Sequence, residues 1–308
     1  MAYIKNTYDN RNIADISREA LEQIEEALRV GYHAVVVGAC ANILSMLDFW
    51  YLALLEHDWG WYPVVFWPFF EGEGHMSQDF GRNGYHFYTS AALGCGKDLD
   101  AWDTPPVMQG AMRAYRFNGE DEWLAALDQD NFSAEGGTFS LGAWVNMVDA
   151  TASCILSKWD ETDSAEKREW KLGLGTTGYP GFTIYDETNN AAIGREDQTA
   201  LSENEWHFIV ATCDGGADAA NVGVWVDGVQ TDDADIADDV GFVGDVNQTT
   251  KVRCGSFEDD GGDEADLFDG YMWGPFYTHK LLFGNDIWNL YQMGKALLDL
   301  DLIGGQPK

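Results

Sequence analysis

The hydrophobic pattern of the chain changes near residue 62. Apolar residues recur every four positions from Ile16 to Leu28 with charged residues between them, which predicts an amphipathic helix. The segment from Gly31 to Leu55 is apolar nearly all round. A module of about 60 residues cannot bury so much apolar surface by itself. Its uninterrupted apolar runs are shorter than the ~18–20 residues of a membrane-spanning helix. We therefore predict a helical assembly module over residues 1–60 that packs against protein.

Beyond this module the pattern becomes that of β-strands. Short runs rich in Val, Phe, Tyr, Trp and Thr alternate with Gly, Asn and Asp, which predicts about ten strands in a sandwich. The runs are VVFWPF, GAMRAYRF, GTFSLGAWVNM, SCILSKW, WKLGLG, GFTIYD, WHFIVATC, VGVWVDG, KVRCGSF and GYMWGPFY. Asp227-Gly228 and Asn83-Gly84 predict tight turns. A short helix is expected from Leu281 to Met293, ended by Gly294.

These segments resemble, in order, the laminin-G-like jelly-roll family of concanavalin A-like lectins and glucanases. The matching stretches are VVFWPFFEGEG, RAYRFNGEDEWL, EWHFIVATCDG, VGVWVDG and LFDGYMWGPFY. The resemblance implies a mainly β fold, a concanavalin A-like antiparallel sandwich (jelly roll) over residues 61–300. The small helical N-terminal module predicted from the hydrophobic pattern precedes it, and a C-terminal tail follows at 301–308. Trp273 and Gly274 stand where the family usually carries an acidic pair.

The charge of the chain narrows the choice of partners. A formal net charge of −34 excludes nucleic acid and anionic membrane surfaces, which require clustered Lys and Arg. Acidic loops would suit either a hard cation or a strongly solvated surface, and both interpretations stay open. The five cysteines form no C-x-x-C pair, so free buried thiols are expected. The N-terminal residues lack the pattern of a signal peptide.

The resemblance also implies a structural calcium ion. The family often holds Ca²⁺ near its termini, and the matching oxygen ligands here are Asp79, Asn83 and Asp269. Ca²⁺ takes six to eight oxygens, so few side chains are needed. The competing interpretation is that these residues are ordinary turn formers. The acidic loop from Glu258 to Glu264 is a second candidate, although its spacing favours a solvated loop.

One carboxylate motif could indicate catalysis. Glucanases of this class use an E-x-D-x-x-E strand motif, and the residues from Glu161 to Glu166 satisfy its spacing. The spacers are polar, however, and the charged surroundings indicate a loop, where carboxylates do not acquire the raised pKa of a general acid. We therefore predict no catalytic residue and no enzymatic activity.

Four aromatic residues are candidates for glycan binding: Trp159, Trp170, Tyr179 and Tyr185. They lie in or beside strands that could line one sheet face, where sugars stack on rings. Core packing is the competing interpretation, because the chain is rich in aromatic residues.

These features favour a non-enzymatic structural or adhesion protein. An assembly module followed by a lectin-like sandwich suits a virion-associated protein, such as a capsid decoration, head-fibre or tail-fibre protein. We expect a homo-oligomer or larger assembly formed through residues 1–60, with surface glycans as partners. The alternative is a free microbial carbohydrate-binding module or glycoside hydrolase, cytoplasmic or secreted by a non-standard route.

Overall fold

The computed structural model describes residues 65–69, 76–79, 81, 83–89, 114–162 and 166–299. Within these ranges the chain forms two large antiparallel sheets, a two-stranded hairpin and one α-helix. The predicted N-terminal module and the C-terminal tail lie outside the described residues. No helix in the described part is long and apolar enough to cross a membrane.

The first sheet has seven strands. They are β1 (Val65–Phe66), β4 (Tyr115–Asn118), β6 (Phe139–Asp149), β11 (Trp206–Cys213), β12 (Val222–Val226), β13 (Val229–Gln230) and β18 (Asp269–Thr278). Their order is β1-β18-β6-β11-β12-β13, and β4 also pairs with β18.

The second sheet has nine strands. They are β2 (Met76–Ser77), β3 (Phe87–Thr89), β5 (Leu124–Ala126), β7 (Ser153–Lys158), β8 (Trp170–Leu174), β9 (Pro180–Asp186), β10 (Ala191–Glu196), β14 (Ala234–Asp238) and β15 (Val252–Cys254). Their order is β14-β10-β9-β8-β7-β15-β5-β3-β2. The hairpin consists of β16 (Phe257–Glu258) and β17 (Glu264–Ala265).

The core lies between the two large sheets. Along β8 and β9 every second residue is buried, so each strand turns one apolar row inward, as period-2 alternation requires. Trp170 of one sheet stacks on Tyr277 of the other, with ring centroids 5.5 Å apart. Phe139 and Phe182 meet edge to face at 5.9 Å across the same gap. The predicted antiparallel sandwich is therefore confirmed, and each of the ten predicted runs contains strand residues.

The helix α1 (Gly284–Asp299) differs from its prediction at its end. It continues through Gly294, which was expected to stop it. A Cβ on Gly294 would lie only 2.3 Å from Nε1 of Trp144, so the missing side chain serves a close approach of helix to sheet. The expected helix is thus correct in place, and the role assigned to Gly294 is wrong.

The two predicted tight turns also differ from each other. Asp227 and Gly228 have φ values of 52° and 84° and join β12 to β13 as a two-residue turn. Gly84 has a φ of 68°, but Asn83-Gly84 lies in a longer loop between β2 and β3. That loop is organised by Asp79, whose buried carboxylate accepts backbone hydrogen bonds.

Candidate functional site

The outer faces of the two sheets differ in accessibility. On the seven-stranded sheet, α1 covers Trp144, whose ring stacks on Tyr291 at 5.6 Å. On the nine-stranded sheet, the strand register places one continuous row of outward residues across β15, β7, β8, β9 and β10. The row consists of Arg253, Ser157, Lys171, Thr183 and Gly194. Lys171 and Thr183 are partly exposed, whereas the other three residues of the row are buried, so the accessible part of this face lies at β8 and β9.

The hairpin β16–β17 covers one side of this row. Phe257 of the hairpin forms a small apolar cluster with Cys154 and Trp159, and Tyr185 packs against this cluster. On the other side, Ile236 of β14 lies over Gly194, where a Cβ would meet Ile236 Cγ1 at 2.9 Å. A Cβ would also lie 2.7 Å from the Phe182 carbonyl oxygen of β9, so any side chain at this position would clash with both neighbouring strands.

Four side chains form what we call the cation–aromatic platform: Trp159, Arg168, Lys171 and Tyr185. The guanidinium of Arg168 lies 3.8 Å from the centroid of the Tyr185 ring. The Lys171 ammonium lies 5.1 Å from the Trp159 centroid and 3.7 Å from that of Phe257. Trp159 and Tyr185 meet edge to face at 5.7 Å. The rings therefore support two cations near the accessible face.

Carboxylates and amides surround the platform. Arg168 pairs with Glu187 at 2.6 Å from Nε to Oε1 and also with Glu166. Trp159 Nε1 donates to Glu161 Oε1 at 2.6 Å, and the Tyr185 hydroxyl donates to Asn190 Oδ1 at 2.5 Å. Donors and acceptors therefore alternate around rigid rings, which is an arrangement suited to sugar hydroxyls.

The structure brings together two of the four predicted sugar residues. Trp159 and Tyr185 belong to the platform, although Trp159 is largely buried and Arg168 covers a face of Tyr185. Trp170 points into the inter-sheet core, is fully buried and donates from Nε1 to the Phe132 carbonyl at 3.0 Å. Tyr179 precedes β9, six residues from Tyr185, or about 20 Å along an extended strand. Trp170 and Tyr179 are thus outside the platform.

The predicted calcium ligands are not brought together. The Asp79 carboxylate accepts from the backbone N–H of Phe66, which pairs with Phe276 on β18. Asp269 begins the same strand, seven residues away, or on the order of 20 Å. It pairs instead with Arg116 at 2.7 Å. The predicted single ion bound by both carboxylates is therefore incompatible with this geometry. Asn83 is exposed and lies in the same loop as Asp79.

Asp79 has a structural role that gives a first prediction. Its carboxylate accepts from the backbone N–H of Phe66, Gly81 and Tyr85 at 3.0, 2.6 and 3.0 Å. Asp79→Ala should lower the free energy of unfolding by about 2–4 kcal/mol, because it leaves these donors unpaired. Urea titrations with added calcium or with chelator should give the same loss.

The control is Asp269→Ala, which breaks a partly exposed ion pair and should cost less than about 1 kcal/mol. Calcium binding by the chain stays a prediction. A loss in Asp79→Ala that appears only when calcium is present would show that this carboxylate holds an ion after all.

The carboxylates of the predicted catalytic motif lie beside the platform. Glu161 accepts from the Trp159 indole, and Glu166 pairs with Arg168. Each thus orients a neighbouring side chain. The middle residue of the motif, Asp163, lies outside the described residues.

A buried ion pair closes the sandwich near the platform. The Lys158 ammonium lies 2.5 Å from Glu169 Oε1, and both side chains are fully buried. The ammonium also contacts Ser133 Oγ at 2.8 Å, Asp128 Oδ1 at 3.2 Å and Asn247 Oδ1 at 3.3 Å. Burial raises the pKa of Glu169 to about 7, although the nearby Lys158 ammonium lowers it in part. Sequence reasoning missed this pair because alternation alone does not reveal which charged residue points inward.

Asp245 ties a loop to the same end of the sandwich. Its carboxylate accepts from the backbone N–H groups of Ala134, Glu135 and Gly136 at 3.0, 3.2 and 2.8 Å. The adjacent Gln248 N–H donates to Glu169 Oε1 at 2.6 Å. Two loops and the buried ion pair therefore form one connected polar network.

Comparison with known proteins identifies the class. Residues 118–272, half of the chain, match the concanavalin A-like lectin/glucanases superfamily. The chain belongs to this superfamily, as the order of its motifs predicted. A search of curated proteins finds no match.

Solved structures with a similar fold include several toxin binding domains. The binding domain of Paraclostridial Mosquitocidal Protein 1 aligns with a TM-score of 0.50 and 12% identity, covering 74% of this chain and 51% of that one. The receptor binding domain of botulinum neurotoxin D aligns with a TM-score of 0.50 and 12% identity, covering 76% and 53%. This chain thus spans about half the length of these relatives, and the likeness shows the fold alone.

Proposed function

We propose that the sandwich is a non-enzymatic carbohydrate-binding domain and that the cation–aromatic platform is its glycan site. One observation carries this proposal: the nine-stranded sheet presents supported cations and carboxylates on the accessible part of its outer face, whereas α1 covers Trp144 on the outer face of the other sheet. Membership in a superfamily of lectins and glucanases supports it.

Binding without hydrolysis follows from the roles of the nearby acids. Glu161 and Glu166 each accept a hydrogen bond from a platform side chain, so they hold the platform in place. A hydrolase would need one carboxyl to protonate the leaving oxygen and a second to attack or to activate water. Release of reducing sugar that disappears in Glu161→Gln would favour the glucanase alternative.

The glycan site is tested by removing the ring that supports Arg168. Tyr185→Ala should weaken glycan binding about tenfold or more, on the order of 1.4 kcal/mol, because Arg168 loses its support at 3.8 Å. Titration calorimetry with glycans identified on an array measures the change.

The matched control is Tyr271→Ala. Tyr271 is also partly exposed and lies 5.3 Å below an arginine, Arg116, but it belongs to the seven-stranded sheet. Its removal should leave glycan affinity unchanged. Equal losses in the two variants would place the binding surface elsewhere.

We further propose that the protein is a virion-associated structural or adhesion protein assembled through residues 1–60. The apolar segment within those residues supports this, because a lone module of this size does not bury it. A free microbial binding module is the alternative.

Deleting residues 1–60 should leave a folded sandwich that still binds glycan but no longer oligomerises or joins a particle. Sedimentation of the full-length and truncated chains measures this. A full-length chain that sediments as a monomer would refute the assembly role and leave the glycan site untouched.

A further inference from the structure

We propose that the cation–aromatic platform binds uncharged, hydroxyl-rich glycans and rejects acidic ones such as uronates, sialosides and sulfated sugars. This inference rests on the proposed glycan site and adds the chemical class of its ligand. It follows from the charges that surround the two platform cations.

The first cation, Arg168, is already neutralised. Its Nε lies 2.6 Å from Glu187 Oε1, and its Nη2 contacts Glu166. The backbone N–H of Arg168 also donates to Glu187 Oε1, at 2.9 Å, so this pair is fixed at two points. A sugar carboxylate or sulfate would have to compete with two carboxylates for one guanidinium.

The second cation, Lys171, lies over the Trp159 and Phe257 rings and has acidic residues in its electrostatic surroundings. Asp266 lies beside β7, where its carbonyl accepts from the Cys154 N–H at 2.7 Å. Burial raises the pKa of Asp266, the Lys171 ammonium lowers it and Glu161 raises it, so these three charges interact. Three carboxylates, those of Glu161, Glu166 and Glu187, contact platform side chains, so they outnumber the two cations and leave a local excess of negative charge.

The rest of the molecule adds to this repulsion. The chain carries 52 acidic and 18 basic residues, so an approaching anion meets a repulsive field. That field extends farther at low ionic strength, since the Debye length grows from about 10 Å at 0.1 M to about 30 Å at 0.01 M salt. An uncharged glycan is not repelled by this field, and its affinity should not depend on the ionic strength in this way.

Uncharged hydroxyl groups do fit the groups that are present. A hydroxyl donates a hydrogen bond to a carboxylate and accepts one from a guanidinium or an ammonium, so its hydrogen-bonding groups are paired without any net charge on the sugar. Glu187 and Arg168 offer such a donor–acceptor pair, and the Thr183 hydroxyl lies in the neighbouring outward row. Neighbouring hydroxyls of one sugar ring match this alternation.

The experiment compares neutral and acidic members of three pairs of related glycans. The probes are lactose and sialyllactose, agarose and carrageenan, and methyl-esterified and de-esterified pectin. Affinities are measured at about 10 mM and about 300 mM salt, where screening differs strongly. We expect the acidic form of a bound pair to bind at least about tenfold more weakly at low salt, and the gap to narrow at high salt.

Removing one carboxylate near Arg168 should reduce the discrimination against acidic glycans. Glu187→Gln frees positive charge on Arg168, so affinity for the acidic form relative to the neutral form should rise several-fold at low salt. Glu166→Gln gives the same test at a more exposed position. The matched control is Asp269→Asn, which frees Arg116 on the other sheet and should change neither affinity.

The outcomes separate the two proposals. Tighter binding of the acidic forms at low salt, lost in Tyr185→Ala, would overturn the ligand class and leave the glycan site standing. Acidic affinity that is unchanged in both Glu187→Gln and Glu166→Gln would also overturn it. An absence of binding to every probe and to a broad glycan array would overturn the proposed function and this inference with it.

Discussion

Replacing Lys158 with methionine should lower the free energy of unfolding by about 3–5 kcal/mol, because it leaves Glu169 as a buried, unpaired acid. The Lys158 ammonium is fully buried and contacts Ser133, Glu169 and Asp128 within 3.2 Å. Methionine fills a similar volume, so the loss reports the broken charge network and not a cavity. Urea titration of the two chains measures the difference.

The double variant Lys158→Met with Glu169→Gln is the control. It removes both charges of the buried pair, so it should recover a large part of the stability lost in the single variant. A single variant as stable as the parent chain would mean that the buried pair contributes nothing to folding.

Replacing Trp170 with alanine should have an effect of similar size for a different reason. The ring is fully buried between the sheets, stacks on Tyr277 at 5.5 Å and donates to the Phe132 carbonyl. Its loss leaves a large cavity, which should cost about 3–5 kcal/mol. Glycan affinity of the folded fraction should stay unchanged, because Trp170 points away from the platform.

The control for the Trp170→Ala variant is Trp288→Ala on α1. Trp288 is 45% exposed, so its removal should cost much less stability. Glycan affinity that falls in a stably folded Trp170→Ala chain would restore Trp170 as a sugar contact. Thermal melts and calorimetry on the same samples separate the two readouts.

The strand β10 was not predicted from the hydrophobic pattern. The run of β10, Ala191–Glu196, contains two alanines and a glycine, which are poor strand formers in isolation. It becomes a strand because β9 and β14 pair with it on both sides. Its Gly194 leaves room for the Phe182 carbonyl of β9 and for Ile236 of β14, contacts that exist only once both strands have paired with it.

The calcium prediction shows the limit of motif order. The resemblance placed the candidate ligands near the two ends of the sandwich, and the strands at those ends, β1 and β18, do pair. It did not give the register, which places Phe66 opposite Phe276, seven residues from Asp269. Each residue of slip along a strand moves a ligand by about 3.3 Å, so register decides whether two carboxylates share an ion.

The sequence by itself determined the class of fold. Period-2 alternation, turn chemistry at Asp227-Gly228 and the order of the motifs act locally along the chain, so they are readable without coordinates. The tertiary structure decided which rings are buried and which are accessible. Trp159 and Trp170 are eleven residues apart, yet they lie on opposite faces of one sheet. The face on which a residue lies depends on register and on what docks over it, and both are set by contacts between residues distant in sequence.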